Sequence, residues 1–239
     1  MKFVLIVVLL FCSGVSKATV DNNDLDNIIR LAEDGKFQQA LDKHLWFHEA
    51  SKSSTGMGGV RLSYAISSWV ELGEKYPPAK EALSQVRDKN KSELLSGNGD
   101  FGNFHDFSAI NHALGEDDAT LELFLILDDT YPEQSSSYYI VAENLLIEHK
   151  KYNICAKYIG DPIIKYENLR YMREVNLSFS KNESSLTSAQ ISERADESYV
   201  NDVLKLIELL IAIDKRDEAV KVQERALAYF PNERIETAI

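Results

Sequence analysis

The chain has 239 residues, with 26 Lys and Arg against 38 Asp and Glu, and its formal net charge is −12. A chain this acidic repels phosphate backbones and anionic lipid surfaces, and no stretch is basic enough to reverse that locally, so nucleic acid is excluded as a partner class. Only five prolines and eleven glycines interrupt it, which favours long helices.

The first eighteen residues, MKFVLIVVLLFCSGVSKA, place Lys2 before an apolar run from Phe3 to Phe11, with small residues Ser16 and Ala18 on either side of Lys17. That layout predicts a signal peptide cleaved after Ala18, because the run is far short of the roughly 20 apolar residues a membrane span requires. Lipid anchoring at Cys12 would need a small residue where Phe11 stands. No later run is long enough to span a bilayer, so residues 19–239 are expected to form one domain in the periplasm or outside the cell. Loss of Lys2 and Lys17 takes the charge from −12 to −14, and Cys155 remains as a single thiol without an intrachain partner. The fold must therefore rest on its apolar core, with no cofactor implied.

Along the chain, "NIIRLAEDGKFQQALDKHLWF" reads as two helices joined at Gly35. "SKSSTGMGG" (51–59) and "SGNGDFGNF" (96–104) are breaks, where Gly and Ser supply turn conformations and little to pack. A weaker break is read at 180–188. Tyr166, Leu169, Met172, Val175 and Phe179 step by three or four and predict a helix.

Three segments share one ruler. Ala65, Trp69, Leu72 and Pro77 recur at the same offsets as Thr120, Phe124, Leu127 and Pro132, and as Ala219, Gln223, Ala226 and Pro231. Residues four and seven apart lie on one helical face, a small residue admits a close neighbour, and Pro ends one helix while starting the next. Ala40 and Cys155 begin two further copies that lack the closing Pro.

This pattern resembles the second helix of a tetratricopeptide repeat, and "VLKLIELLIAIDKRDEAV" supplies the first helix of the last copy, about residues 199–232. Pro77 and Pro132 are 55 residues apart and Pro132 and Pro231 are 99 apart, so the repeats are irregular against a period of about 34. The block from His44 to Ala79 is also similar to sequences of bacterial exported proteins. The resemblance implies an all-α fold of antiparallel helical hairpins stacked as a solenoid. It further implies a groove lined by first helices, here including Asn144, Glu148, Lys205 and Glu208, that binds a protein or peptide and performs no catalysis.

Candidate chemistry is sparse. His44 and His48 stand four apart on one helical face, a spacing from which two imidazoles can share a divalent metal, with His105, Asp106 and His112 as further donors if the fold brings them near. His44 also occupies the ruler's large-residue position, where packing accounts for it. "GMGG" before Arg61 lacks the ending of a phosphate loop and reads as a connector. Cys155 falls at a small-residue position and reads as a buried structural thiol. The acidic pairs Asp117 with Asp118 and Asp128 with Asp129 read as solvated helix ends. Trp46 has Lys43, Asp42 and Gln39 as neighbours three, four and seven residues back, so it shares a polar face and is a candidate interface anchor. Stacking of hairpins between copies of the chain, as an envelope structural protein, is the remaining class.

Overall fold

The computed structural model describes residues 20–178 and 187–239, and every regular element among them is helical. The proposed signal segment, Phe179 and most of the 180–188 break lie outside the described residues. Two compact units divide the chain between Asp88 and Lys89.

One turn is built five times among the described residues: once at Gly97, with Asn98 N–H reaching back to Glu93 at 3.1 Å, and four times ahead of a small residue of the ruler. Gly35, Gly115, Lys150 and Asp214 take φ of 75°, 72°, 55° and 61°. In each case the next residue's N–H reaches back five residues: Lys36 to Leu31 at 2.9 Å, Glu116 to Asn111 at 2.8 Å, Lys151 to Leu146 at 2.7 Å and Lys215 to Leu210 at 2.8 Å. This left-handed closure satisfies carbonyls that the ending helix leaves open and reverses the chain. It joins α1 (Asn22–Glu33) to α2 (Phe37–Ser51) in the first unit. In the second it joins α6 (Phe101–Leu114) to α7 (Asp117–Thr130), α8 (Pro132–Glu148) to α9 (Tyr152–Tyr158), and α11 (Ser188–Ala212) to α12 (Arg216–Tyr229). Five residues beyond each of these four turns stands Ala40, Thr120, Cys155 or Ala219, all 0% exposed.

The rest of the ruler is buried too: Phe47, Phe124, Leu127 and Ala226 are inaccessible, and His44 nearly so. Gln223 is half-buried because its amide donates to the carbonyls of Ile235 and Glu236, at 2.8 and 3.0 Å, in the short closing helix α13 (Glu233–Glu236). Where the ruler ends in Pro, the residue before it leaves the helix in the same way. Tyr76 and Phe230 are extended and Tyr131 has likewise left the helical region, and their N–H groups donate to Leu72, Leu127 and Ala226 at 2.8, 2.7 and 2.8 Å. For Tyr76 and Tyr131, whose following prolines open the next helices, the ring of Pro forbids the helical conformation one residue earlier.

In the first unit, α3 (Gly58–Val60), a π-helical turn (Arg61–Ala65) and α4 (Ile66–Lys75) follow one another, with Ala65 at the end of the π-helical turn. Val20, Leu25, Ile28, Phe47, Met57 and Ala65 form its core. Trp69 donates its indole N–H to the Ala79 carbonyl at 2.9 Å. There α4 meets α5 (Pro77–Leu95) so closely that a Cβ on Gly73 would lie 2.9 Å from the Lys80 Cβ.

In the second unit, α7 packs on α8, α8 also touches α6 and α11, and α10 (Pro162–Ser178) fills between α11 and α12. Phe104 stacks on Tyr138 with ring centroids 5.0 Å apart, and the Tyr138 hydroxyl donates to Gly99. Helices α1, α6 and α11 open with capping boxes at Asp21, Asp100 and Thr187, whereas α8 opens with Pro132.

Three expectations change. The break read at 96–104 ends at Asp100, whose carboxylate caps Asn103, so Phe104 is a core residue of α6. The stripe on α10 holds at Tyr166 but not at Met172, which is exposed. Arg173 takes the inward place, with its guanidinium 4.6 Å from the Phe230 ring and bonded to Asp196. Asp128 is buried rather than solvated, because it accepts from Lys157 Nζ and the Tyr158 hydroxyl, both at 2.6 Å.

Candidate functional site

Helices α8 and α11 place the four first-helix residues singled out by sequence. Asn144 and Glu148 are one turn apart on α8, and Lys205 and Glu208 are nearly one turn apart on α11. Lys205 Nζ lies 3.0 Å from Glu148 Oε1. Asn144 and Lys205 together line two adjoining cavities. The inner cavity, about 160 Å³, is bounded by α8, α10 and α11, and the outer one, about 270 Å³, by α6, α8 and α11. Glu208 stands apart from them. It accepts from the Tyr152 hydroxyl at 2.6 Å, a bond that raises the Tyr152 phenol's pKa, and it borders a shallow furrow with Leu204, Ile207 and Ile211.

The two cavities are charged and their charges are largely paired. In the inner cavity Lys165 binds Glu143, which also accepts from the Tyr139 hydroxyl at 2.6 Å. Burial, and then the Glu143 charge, push the Tyr139 phenol far up, so it remains a donor. At the outer rim His112 Nδ1 lies 3.1 Å from Asp117 Oδ2. Asp202 lies on α11 three residues before Lys205 and faces the inner cavity. Burial pushes its carboxyl above the usual range, with the Lys205 charge pulling the other way.

Sequence reasoning passed over Glu143, Lys165 and Asp202. Asp202 was legible, since it shares the Lys205 face at a three-residue step, and Glu143 is adjacent to Asn144. Lys165 was not, because α10 lies outside the repeat ruler.

The remaining candidates lie elsewhere. In the first unit, the His44 ring stacks on Trp69 at 5.3 Å and 18°, and the His48 ring meets the same indole edge-on at 6.2 Å. Burial, helped by the His48 charge, lowers the His44 pKa to about 4. No group of three or more His, Cys, Asp or Glu that could hold a metal ion assembles among the described residues. Trp46 is half-buried: it packs against the core of the first unit, with Lys43 Nζ 4.9 Å above the ring, and borders a furrow with Leu31 and Gln39. Gly56 adopts φ 79° in the glycine connector and Met57 buries after it. Cys155 is inaccessible, and burial raises its thiol pKa. No helix among the described residues is long and apolar enough to cross a membrane.

No family model, no curated protein and no solved structure matches the chain.

Proposed function

We propose that the chain is an exported, non-enzymatic scaffold that binds a protein or peptide in a tetratricopeptide-like groove between its first helices. The observation that carries this reading is the convergence of Asn144 and Lys205 on two adjoining cavities whose walls include α6, α8 and α11. The recurring turn, followed in four of its copies by a buried small residue five positions on, supports a hairpin-repeat architecture. Repeats of this kind bind along the surface their first helices share, and that surface here carries ionic and amide groups able to meet a peptide backbone. Export follows from the pattern of residues 1–18, and the charge of −12 favours a partner that is not itself strongly acidic.

The test is selection of ligands from a displayed random peptide library, followed by affinities for the wild type and for Asn144→Ala and Lys205→Ala. Both variants should bind the selected peptides at least roughly tenfold more weakly at unchanged melting temperature. Undiminished affinity in both, or no selectable peptide, would overturn the reading.

A further inference from the structure

The inner cavity holds a charge without a counter-ion. Lys165 is committed to Glu143 and Lys205 to Glu148. The Asp202 carboxylate has one weak hydrogen bond, from Ser198 Oγ at 3.4 Å, and no ion pair among the described residues. Its desolvation outweighs the pull of the Lys205 and Lys165 charges. Across the two cavities the four carboxylates of Glu143, Glu148, Asp117 and Asp202 face the two ammonium groups of Lys165 and Lys205 and the imidazole of His112. At about 160 Å³ the inner cavity is smaller than the roughly 300–1,000 Å³ of small-molecule sites, and suits a single side chain. Its walls also include Ile147, Leu169 and Leu206, an apolar surface for an aliphatic stem.

We propose that the inner cavity receives a lysine or arginine side chain of the partner, with Asp202 as its counter-ion, Asn144 as a second acceptor and the three aliphatic residues against its stem. This rests on the groove reading and adds the partner's charge to it. An anionic side chain would find both ammonium groups taken and Asp202 opposing it. A neutral one would leave the carboxylate desolvated and unpaired.

The experiment titrates the isotopically labelled protein with N-acetyl-arginine methylamide, and separately with the citrulline analogue as a neutral probe of the same shape, reading backbone amide shifts. The arginine probe should shift amides in 198–206 and 143–147, and citrulline should bind at least roughly tenfold more weakly. Asp202→Asn should remove that preference without lowering the melting temperature. Equal binding of the two probes, retained preference in Asp202→Asn, shifts confined to other segments, or no shifts at saturating probe would each overturn the inference. Selected peptides that are indifferent to Asp202→Asn but lost in Asn144→Ala sink this inference and leave the groove reading standing. Arginine binding here without any peptide ligand would do the reverse.

Discussion

Lys205 Nζ on α11 lies 3.0 Å from Glu148 Oε1 on α8, joining the two helices across 57 residues of sequence. Their side chains remain 30% and 54% exposed, so water screens the pair and it contributes at most about 1 kcal/mol. A double-mutant cycle of Lys205→Ala and Glu148→Ala, read by chemical denaturation, should return a coupling no larger than that. A larger coupling would make the pair a structural clasp and would weaken the use of Lys205→Ala as a binding probe.

Acid should destabilise the first unit through His44. His44 has an ordinary pKa of 6.5 when exposed and about 4 when folded, so between these values the unfolded chain binds the proton and the folded chain does not. The stability this position contributes is complete above pH 6.5 and is lost as pH falls toward 4, by roughly 3 kcal/mol. Both tryptophans, Trp46 and Trp69, lie in the first unit, so their fluorescence reports it selectively. Urea midpoints followed by fluorescence should fall between pH 7 and 4.5, and His44→Phe should flatten that dependence. An unchanged slope in the variant would remove His44 as the cause.

Gly73→Ala should destabilise the chain despite the better helix propensity of Ala. Propensity offers about 1 kcal/mol, but the new methyl would meet the Lys80 backbone and Cβ at 3.2 and 2.9 Å. Overpacking of this kind costs about 1–3 kcal/mol, because two helix backbones must separate. Thermal melting of the variant should fall; a rise would mean that α4 and α5 part easily.

The left-handed turns make an opposite prediction. Lys150 and Asp214 hold φ of 55° and 61° where Gly35 and Gly115 hold the same conformation without a Cβ. Lys150→Gly and Asp214→Gly should each stabilise by about 0.5–1 kcal/mol, whereas Gly115→Ala should cost about that much or more. Denaturant midpoints of the three variants test the sign.

Cys155 is 0% exposed with its thiol pKa raised by burial, so it should not react with a soluble disulfide reagent in the native state. Labelling should proceed at the rate of unfolding and accelerate with denaturant. Fast labelling in native buffer would mean that α9 opens locally.

Local rules carried much of this fold in the sequence itself. Small residues at Ala40, Thr120, Cys155 and Ala219, the apolar steps after them and the prolines at 77 and 132 act over one or two helical turns, so their burial and the helix ends could be read directly. Asp100 shows the limit of such rules, since its cap converted part of an apparent loop into a helix that buries Phe104. Asp128 became a buried acceptor only because α9 brings Lys157 and Tyr158 to it, and Arg173 displaced Met172 from the inward face because Asp196, Tyr199 and Phe230 gather there. The groove divides in the same way. That Asn144, Glu148 and Lys205 stand on helices could be read from sequence, whereas the cavity that Asn144 and Lys205 share with Lys165 and Asp202 exists only once α8, α10 and α11 are packed. Backbone periodicity is a property of neighbours in sequence; pairing and desolvation of charge depend on distances that only the folded chain sets.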